Sequence, residues 1–325
     1  MKKVAIVAGG NSGEHDISLL SAKNVFDILD KRLFKPYLIH IKGVDWTCTA
    51  EDGTVYSIDK NDFSLTMANE KIFFDVVFIA IHGTPGEDGK LQGYFDMLNI
   101  PYTGCDLFTS ALTFNKYFCN LTVAKLGIPI AASLHFYKGT PIDAENVRQV
   151  CGFPCFVKPC NSGSSVGVSK VHNEEELYRA TTEAFKHDKQ ILIEAYLAGK
   201  EVTCGVLESK GEIVPLTVTE IISENEFYDF ESKYTDNLHS MVTPAPISKE
   251  AFQKIMDFSK KIFLFLDCKG VARIDYIVTA DGTPYFLEIN TIPGQTAMSI
   301  IPHQIEYLGK ELQETYTEII TNALL

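Results

Sequence analysis

The first apolar positions form an unbroken run, residues 4–8, the pattern of a strand buried on both faces. A Gly-rich stretch, residues 9–14, ends it. Ile17, Leu20, Val25 and Ile28 then recur at helical spacing, which predicts a helix over about 16–30 with these side chains on its buried face. Residues 36–41 and 75–81 read as further strands. A βαβ start of this kind predicts an open α/β sheet whose ligands sit beyond the carboxyl ends of its strands. Glu14 and His82 both follow such ends. Glu14 is open between a site role and a carboxylate favoured near a helix N-terminus, and His82 between a site role and a satisfied structural histidine. Downstream, 110–126 reads as a helix carrying Lys116, and Ile128-Pro129 opens a second unit. That unit holds strands at 155–158, 168–171 and 190–196 and a helix at 174–186. Gly199-Lys200-Glu201 reads as a turn into a strand at 202–207. Residues 220–246 lack a period but carry Phe227, Tyr228, Phe230 and Tyr234, the composition of a lid or binding loop, not of disorder. Helices at 249–266 and 305–325 flank a hairpin.

That hairpin is the most informative stretch. Asp281-Gly282 lies between two apolar-alternating runs, a two-residue turn signal. With Ala280 paired to Thr283, counting outward sets Asp275 opposite Glu288 and Arg273 opposite Asn290, all on one face. Two opposed carboxylates destabilise a sheet unless a cation lies between them. Two carboxylates with an amide oxygen suit Mg²⁺, and Arg273 beside them suits a phosphate or oxyanion. The plain alternative is a solvated charged face, against which Val271, Ile277, Phe286 and Ile289 predict burial.

A second candidate is the small-residue loop 161–167 between two strands, able to turn backbone N–H groups toward a phosphate. It has no following GK[ST] and is not a Walker A loop. Lys158 interrupts the apolar strand beside it, and a phosphate partner would relieve the cost of burying that charge. Glu201 fits either ribose hydroxyls or a surface charge. The turn at 9–14 is not GxGxxG, which disfavours a dinucleotide.

Composition narrows the class. The chain has 325 residues and a net charge of -13, with no basic run longer than a pair, which excludes nucleic acid and anionic membranes as expected partners. Anionic substrates must then be met by placed Lys, Arg or metal. The eight cysteines form no CxxC and read as reduced core thiols of a cytoplasmic protein. The initial apolar run is too short for a signal peptide, and no stretch approaches a membrane span.

Several segments, in order, resemble the D-alanine–D-alanine ligases of the ATP-grasp superfamily: GGNSGEHDIS (9–18), FIAIHGTPGEDGKLQG (78–93), PYTGCDLFTSALTFNK (101–116), FVKPCNSGSSVGVSKV (156–171), ILIEAYLAGKE (191–201), FYDFESKY (227–234) and GVARIDY with FLEINTIPG (270–294). The resemblance covers essentially the whole chain. It implies an α/β and α+β ATP-grasp fold: an N-terminal open parallel α/β substrate domain (1–113), a central lid domain (114–199) and a C-terminal α+β catalytic domain (200–325). It implies ATP-dependent joining of two D-alanines through an acyl phosphate for peptidoglycan precursor synthesis, with two Mg²⁺ ions for which Mn²⁺ can substitute, in a cytoplasmic homodimer.

Residue by residue, the resemblance implies that Asp275, Glu288 and Asn290 hold the metal ions. Lys116, Lys158 and Ser165 meet ATP phosphates, Glu194, Ala195, Tyr196 and Leu197 border the adenine, and Glu201 takes the ribose. Glu14 binds the first ammonium and joins Ser164 and Tyr234 in a hydrogen-bonded triad. Arg273 and the Gly294 backbone stabilise the oxyanion. Ser299 and Ile300 meet the second carboxylate, with His82 and Lys233 also at the substrates. Ala195 stands where relatives usually carry a basic residue, Ile300 replaces a usual leucine, and Ser162 takes an often acidic place. Two rival readings are a ligase that accepts D-lactate, which Tyr234 disfavours, and a non-catalytic nucleotide sensor, which would not need Arg273.

Overall fold

The computed structural model describes residues 1–223 and 239–325, and the expectations for Lys233, Tyr234 and the aromatics at 227–230 lie outside them. Three sheets follow one another along the described chain. The first has seven strands in the order β6-β5-β4-β3-β2-β1-β7: β1 (Lys2–Gly9), β2 (Phe34–Lys42), β3 (Asp45–Thr49), β4 (Val55–Asp59), β5 (Ser64–Met67), β6 (Glu70–Ile72) and β7 (Val76–Ile79). Only β2, β1 and β7 run parallel. The expected open parallel sheet is thus widened by four antiparallel strands. Those strands have three to five residues each, too short for alternation to stand out.

Helix α1 (His15–Ile28) buries Ser18, Ser21, Ala22 and Val25. This corrects the expected apolar face: Leu20 is exposed and Ile17 half-buried, and both line a cleft. The helix seats through small residues whose hydroxyls are satisfied. Ser18 Oγ accepts from Gly9 N at 2.8 Å and donates to the Ala80 carbonyl at 2.8 Å. Helices α2 (Lys90–Leu98), α3 (Leu107–Phe114) and α4 (Lys116–Ala124) follow. The expected single helix over 110–126 is therefore two. Asn115 breaks it and caps α4, its side chain accepting from Phe118 N at 3.1 Å.

The second sheet, order β10-β9-β11-β8, is antiparallel: β8 (Ser133–Tyr137), β9 (Cys155–Pro159), β10 (Ser169–Val171) and β11 (Gln190–Ala195). Helices α5 (Ala144–Val150) and α6 (Glu174–His187) cover it, and it has a core of its own around Val147, Val157, Leu177 and Ile193. The third sheet, order β14-β13-β12-β15-β16, comprises β12 (Gly199–Ser209), β13 (Glu212–Ser223), β14 (His239–Val242), β15 (Val271–Thr279) and β16 (Pro284–Asn290). Residues 199–201, expected as a turn, begin β12, and Glu220 lies in β13. Helix α7 (Lys249–Phe265) packs on this sheet through Ile255, Ile262 and Phe263. The expected final helix is two, α8 (Ile300–Tyr307) and α9 (Leu312–Ala323). Val4 and Ile6 of β1 share one core with Val271, Ile301 and Tyr316, so the first and third sheets are joined through α8 and α9. All eight cysteines are free and buried. Among the described residues no helix is long and apolar enough to cross a membrane.

Candidate active site

The hairpin β15–β16 brings Arg273, Asp275, Glu288 and Asn290 together. Asp275 pairs with Glu288 and Arg273 with Asn290, as the sequence predicts, but by another route. The turn has three residues, not two: Gly282 N donates to the Thr279 carbonyl at 2.8 Å, Gly282 adopts φ +81°, and Thr279 N donates to the Thr283 carbonyl at 3.1 Å. This is a type I turn closed by a left-handed glycine. It moves the register by one, so Tyr276 faces Phe286. A bulge then inserts Leu287 and restores the register at Asp275 and Glu288.

Both carboxylates have cationic partners. Arg273 forks onto Asp275, Nε to Oδ1 at 3.0 Å and Nη2 to Oδ2 at 2.8 Å, and Thr203 Oγ1 donates to Asp275 Oδ1 at 2.5 Å. Lys116 Nζ lies 3.2 Å from Glu288 and donates to the Ser162 carbonyl at 2.7 Å. Burial acts against the Lys116 charge, but Glu288, with Glu87 and Cys160, outweighs it and the pKa rises above the ordinary lysine value. The repulsion expected between opposed carboxylates is thus met by Arg273 and Lys116. Asp275, Glu288 and Asn290 remain a hard oxygen set of the kind Mg²⁺ takes alongside water and phosphate. Among the described residues no group of three or more His, Cys, Asp or Glu is placed to hold a metal by itself.

Glu14 flanks α1 but makes no cap there with its side chain. Instead Ser164 Oγ donates to Glu14 Oε1 at 2.6 Å, bringing loop 161–167 across to the end of β1. Gly163 permits this approach, since a Cβ there would lie 2.6 Å from Glu14 Oε2. Ser164 and Ser165 both sit at positive φ, 47° and 57°, a conformation that costs non-glycine residues energy and is characteristic of ligand clamps.

His82 is buried with both ring nitrogens engaged, Nδ1 with the Ile292 carbonyl at 2.8 Å and Nε2 with Ser21 Oγ at 3.1 Å. Burial lowers its pKa despite nearby Glu14, so the ring is neutral and holds α1 to the segment after β16. Glu87, given no role by sequence reasoning, is buried nearby and accepts from Gly83 N at 2.6 Å. Burial, then the Glu14 charge, pushes its pKa up to about 8. Its sequence signal was an acid inside the Gly-rich segment after His82.

A cleft of about 1140 Å³ gathers Glu14, His82, Lys116, Ser164, Arg273, Glu288, Asn290, Gly294, Ser299 and Ile300. Asp275 is buried behind Arg273. Apart from Lys116, the expected nucleotide residues lie outside its lining. Lys158 pairs with buried Glu194 at 2.5 Å, and Asn120 Nδ2 donates to Glu194 Oε1 at 3.3 Å. Ala195 N donates to the Ala132 carbonyl at 2.8 Å, Tyr196 is exposed under Lys170 Nζ, Leu197 is half-buried, and Glu201 sits on β12 opposite Ile277. Ser299 flanks α8, and its Oγ accepts from Thr296 N at 3.0 Å.

Sequence profiles of two families match the chain: the D-ala D-ala ligase N-terminus over residues 3–105 and the D-ala D-ala ligase C-terminus over 122–321. The chain belongs to the D-alanine–D-alanine ligase family. The D-alanine–D-alanine ligase of Parabacteroides distasonis is 44% identical over 323 residues, covering 99% of this chain and 98% of that one. Among solved structures, the VanG D-Ala:D-Ser ligase of Enterococcus faecalis superposes with a TM-score of 0.87 at 31% identity, covering 99% of each chain. The D-alanine–D-alanine ligase of Bacillus anthracis complexed with ATP gives 0.79 at 25% identity, covering 99% of this chain and 97% of that one. The fold is that of these ligases, and the chain is a ligase of the D-Ala-D-Ala branch of peptidoglycan synthesis.

Proposed function

We propose that this D-alanine–D-alanine ligase uses ATP to activate one D-alanine as an acyl phosphate and joins a second D-alanine to it inside the 1140 Å³ cleft. The observation that carries this reading is the convergence there of Glu14 after β1, Lys116 at the start of α4, and Arg273 with the Glu288–Asn290 edge of the β15–β16 hairpin. Glu14, steadied by Ser164, takes the first ammonium. Lys116 and Lys158 take ATP phosphates, Ser165 adds a contact from the loop, and Glu194 to Leu197 with Glu201 border adenine and ribose. A carboxylate oxygen of the first D-alanine attacks the γ-phosphorus, and ADP leaves. The amine of the second D-alanine then attacks the acyl carbon, loses a proton, and phosphate departs with the broken C–O bond. Arg273 and the Gly294 N–H hold the oxyanion of that addition, a preorganised electrostatic role. Ser299 and Ile300 meet the second carboxylate, and His82 positions the wall between them and Glu14.

Asp275, Glu288 and Asn290 fit Mg²⁺, with Mn²⁺ as a substitute, and the bound ions would neutralise phosphate charge. Phosphates that draw away Arg273 and Lys116 release the two carboxylates for that task. Tyr234 completes the triad with Glu14 and Ser164, and Lys233 adds positive charge. The three lobes are 1–113, 114–199 and 200–325, supported by the separate core of the second sheet. The enzyme works in the cytoplasm as a homodimer.

The likeness to a D-Ala:D-Ser ligase makes acceptor choice the point to test. Phosphate release is followed with ATP and D-alanine, then with D-serine or D-lactate added, and products are identified. The reading expects D-alanine-dependent release with one D-alanyl-D-alanine per phosphate. Release independent of D-alanine, or a mainly mixed product under competition, overturns it.

A further inference from the structure

Beneath the acceptor end of the cleft runs a buried chain of polar groups. Gly205 sits where β12 slips register against β13, and its N–H donates to Gln304 Oε1 at 2.8 Å. Gln304 Nε2 donates to the Thr203 carbonyl at 3.2 Å and to Thr219 Oγ1 at 2.9 Å. A backbone N–H only donates and a carbonyl only accepts, so the orientation of this amide is fixed by its partners. Thr219 Oγ1 lies 2.8 Å from Thr243 Oγ1, which lies 3.1 Å from His303 Nε2. Thr219 is fully buried and already accepts from Gln304, so its own proton goes to Thr243, and Thr243 in turn can donate to His303 Nε2. Gln304 and Thr219 are fully buried, so water does not compete at that end of the chain, while Thr243 and His303 are half-buried. An accepting Nε2 leaves the single proton of a neutral imidazole on Nδ1. His303 lines the cleft together with Met241, Met298 and Ser299, and its backbone N–H donates to the Ser299 carbonyl at 3.1 Å.

We propose that Thr243 donates to His303 Nε2, so that the Nδ1–H of the ring is a hydrogen-bond donor to the carboxylate of the second amino acid and His303 determines acceptor affinity. The inference rests on the reading of the cleft as a dipeptide ligase site. It differs from the role of Ser299 and Ile300 in assigning a side-chain donor whose ring is oriented from the far side by Thr243.

Two measurements test it. In ¹⁵N-histidine NMR of the wild-type protein near neutral pH, the ring signals absent from His303→Asn should show a protonated Nδ1 and an unprotonated Nε2. Thr219→Val, which deletes one hydroxyl of the chain, should move them toward averaged tautomers. A protonated Nε2 in the wild type, or no change in Thr219→Val, overturns the chain. In steady-state kinetics at saturating ATP, D-alanine dependence is fitted with two constants. His303→Gln keeps a polar group near the Nε2 place and loses the one near Nδ1. It should raise one constant on the order of 2- to 12-fold, the size of one hydrogen bond, and leave the other and the ATP requirement alone. His303→Asn, which keeps a donor near the Nδ1 place, should stay close to wild type. Equal constants in His303→Gln and wild type, or an equal loss in both variants, overturns the donor. Absence of any dipeptide from the wild type would instead remove the ligase reading, while the NMR still reads the chain.

Discussion

The hairpin face and the amine end of the cleft are built in opposite ways. On the hairpin, Arg273, Asp275, Glu288 and Asn290 meet through pairing of two neighbouring strands. At the amine end, Glu14 meets Ser164 from 150 residues further along, His82 meets Ile292 from 210 further, and Glu87 titrates under the field of Glu14. Local pairing makes the first arrangement robust and calculable from spacing. The second exists only when three sheets are assembled, so it is where closure, pH and substrate should act together.

Replacing Glu288 sharpens the contrast most. Glu288→Gln keeps the strand and removes one carboxylate, and D-alanine-dependent phosphate release should fall by about 100-fold or more at unchanged far-UV circular dichroism. Retention of turnover within a few-fold would move the metal face elsewhere. Lys158→Ala tests the nucleotide side. It should raise the ATP requirement roughly 10- to 100-fold with little effect on D-alanine. It also strands buried Glu194 and costs roughly 3–5 kcal/mol of stability, so kinetics are read on the folded fraction. An unchanged ATP requirement there removes the phosphate contact.

A smaller effect separates the two regions by pH. The Glu87 pKa is raised in the folded state, from 4.5 to about 8, so folding binds a proton that the unfolded chain has released between those values. The Glu87 contribution is fully present below about 4.5 and is lost as pH rises toward about 8. In urea titrations from pH 5 to 9, Glu87→Gln should flatten that decline, and parallel curves for variant and wild type would refute the burial argument. Smallest is Gly282→Ala. The left-handed turn makes it cost roughly 1–2 kcal/mol, a shift of a few degrees in Tm. Activity at 25 °C should be unchanged, because Asp275 and Arg273 are also held by pairing with Thr203 and Gly205 of β12, away from the turn.

The same contrast explains what could be read in the sequence. Alternation located β15 and β16 and put Asp275 opposite Glu288, although a longer turn and a bulge were needed to cancel one another. Long apolar runs marked β1, β9 and β11, and the matching segments carried the family and with it the fold. On α1 spacing found Val25 and Ile28 but not the first half of the helix, where hydroxyl groups satisfied by Ala80 and His82 form the seat and leave Ile17 and Leu20 to the cleft. It failed at Asn115 and Gly309, where a cap and a left-handed glycine divide predicted single helices. Glu87 and His303 carry no periodic signal. Their settings arise from burial and from partners contributed by distant strands, which one-dimensional spacing does not contain.

We propose that the opposed carboxylates of the hairpin, paired with Arg273 and Lys116 in the ligand-free protein, take a divalent cation when nucleotide phosphates arrive. Thermal unfolding of the wild type and Glu288→Gln, each alone, with Mg²⁺, with ATP and EDTA, and with both ligands, tests this by linkage. Mg²⁺ with ATP should raise the wild-type Tm by more than the two separate shifts combined, and Glu288→Gln should lose most of this excess. The same excess in both proteins, or none in the wild type, would contradict it.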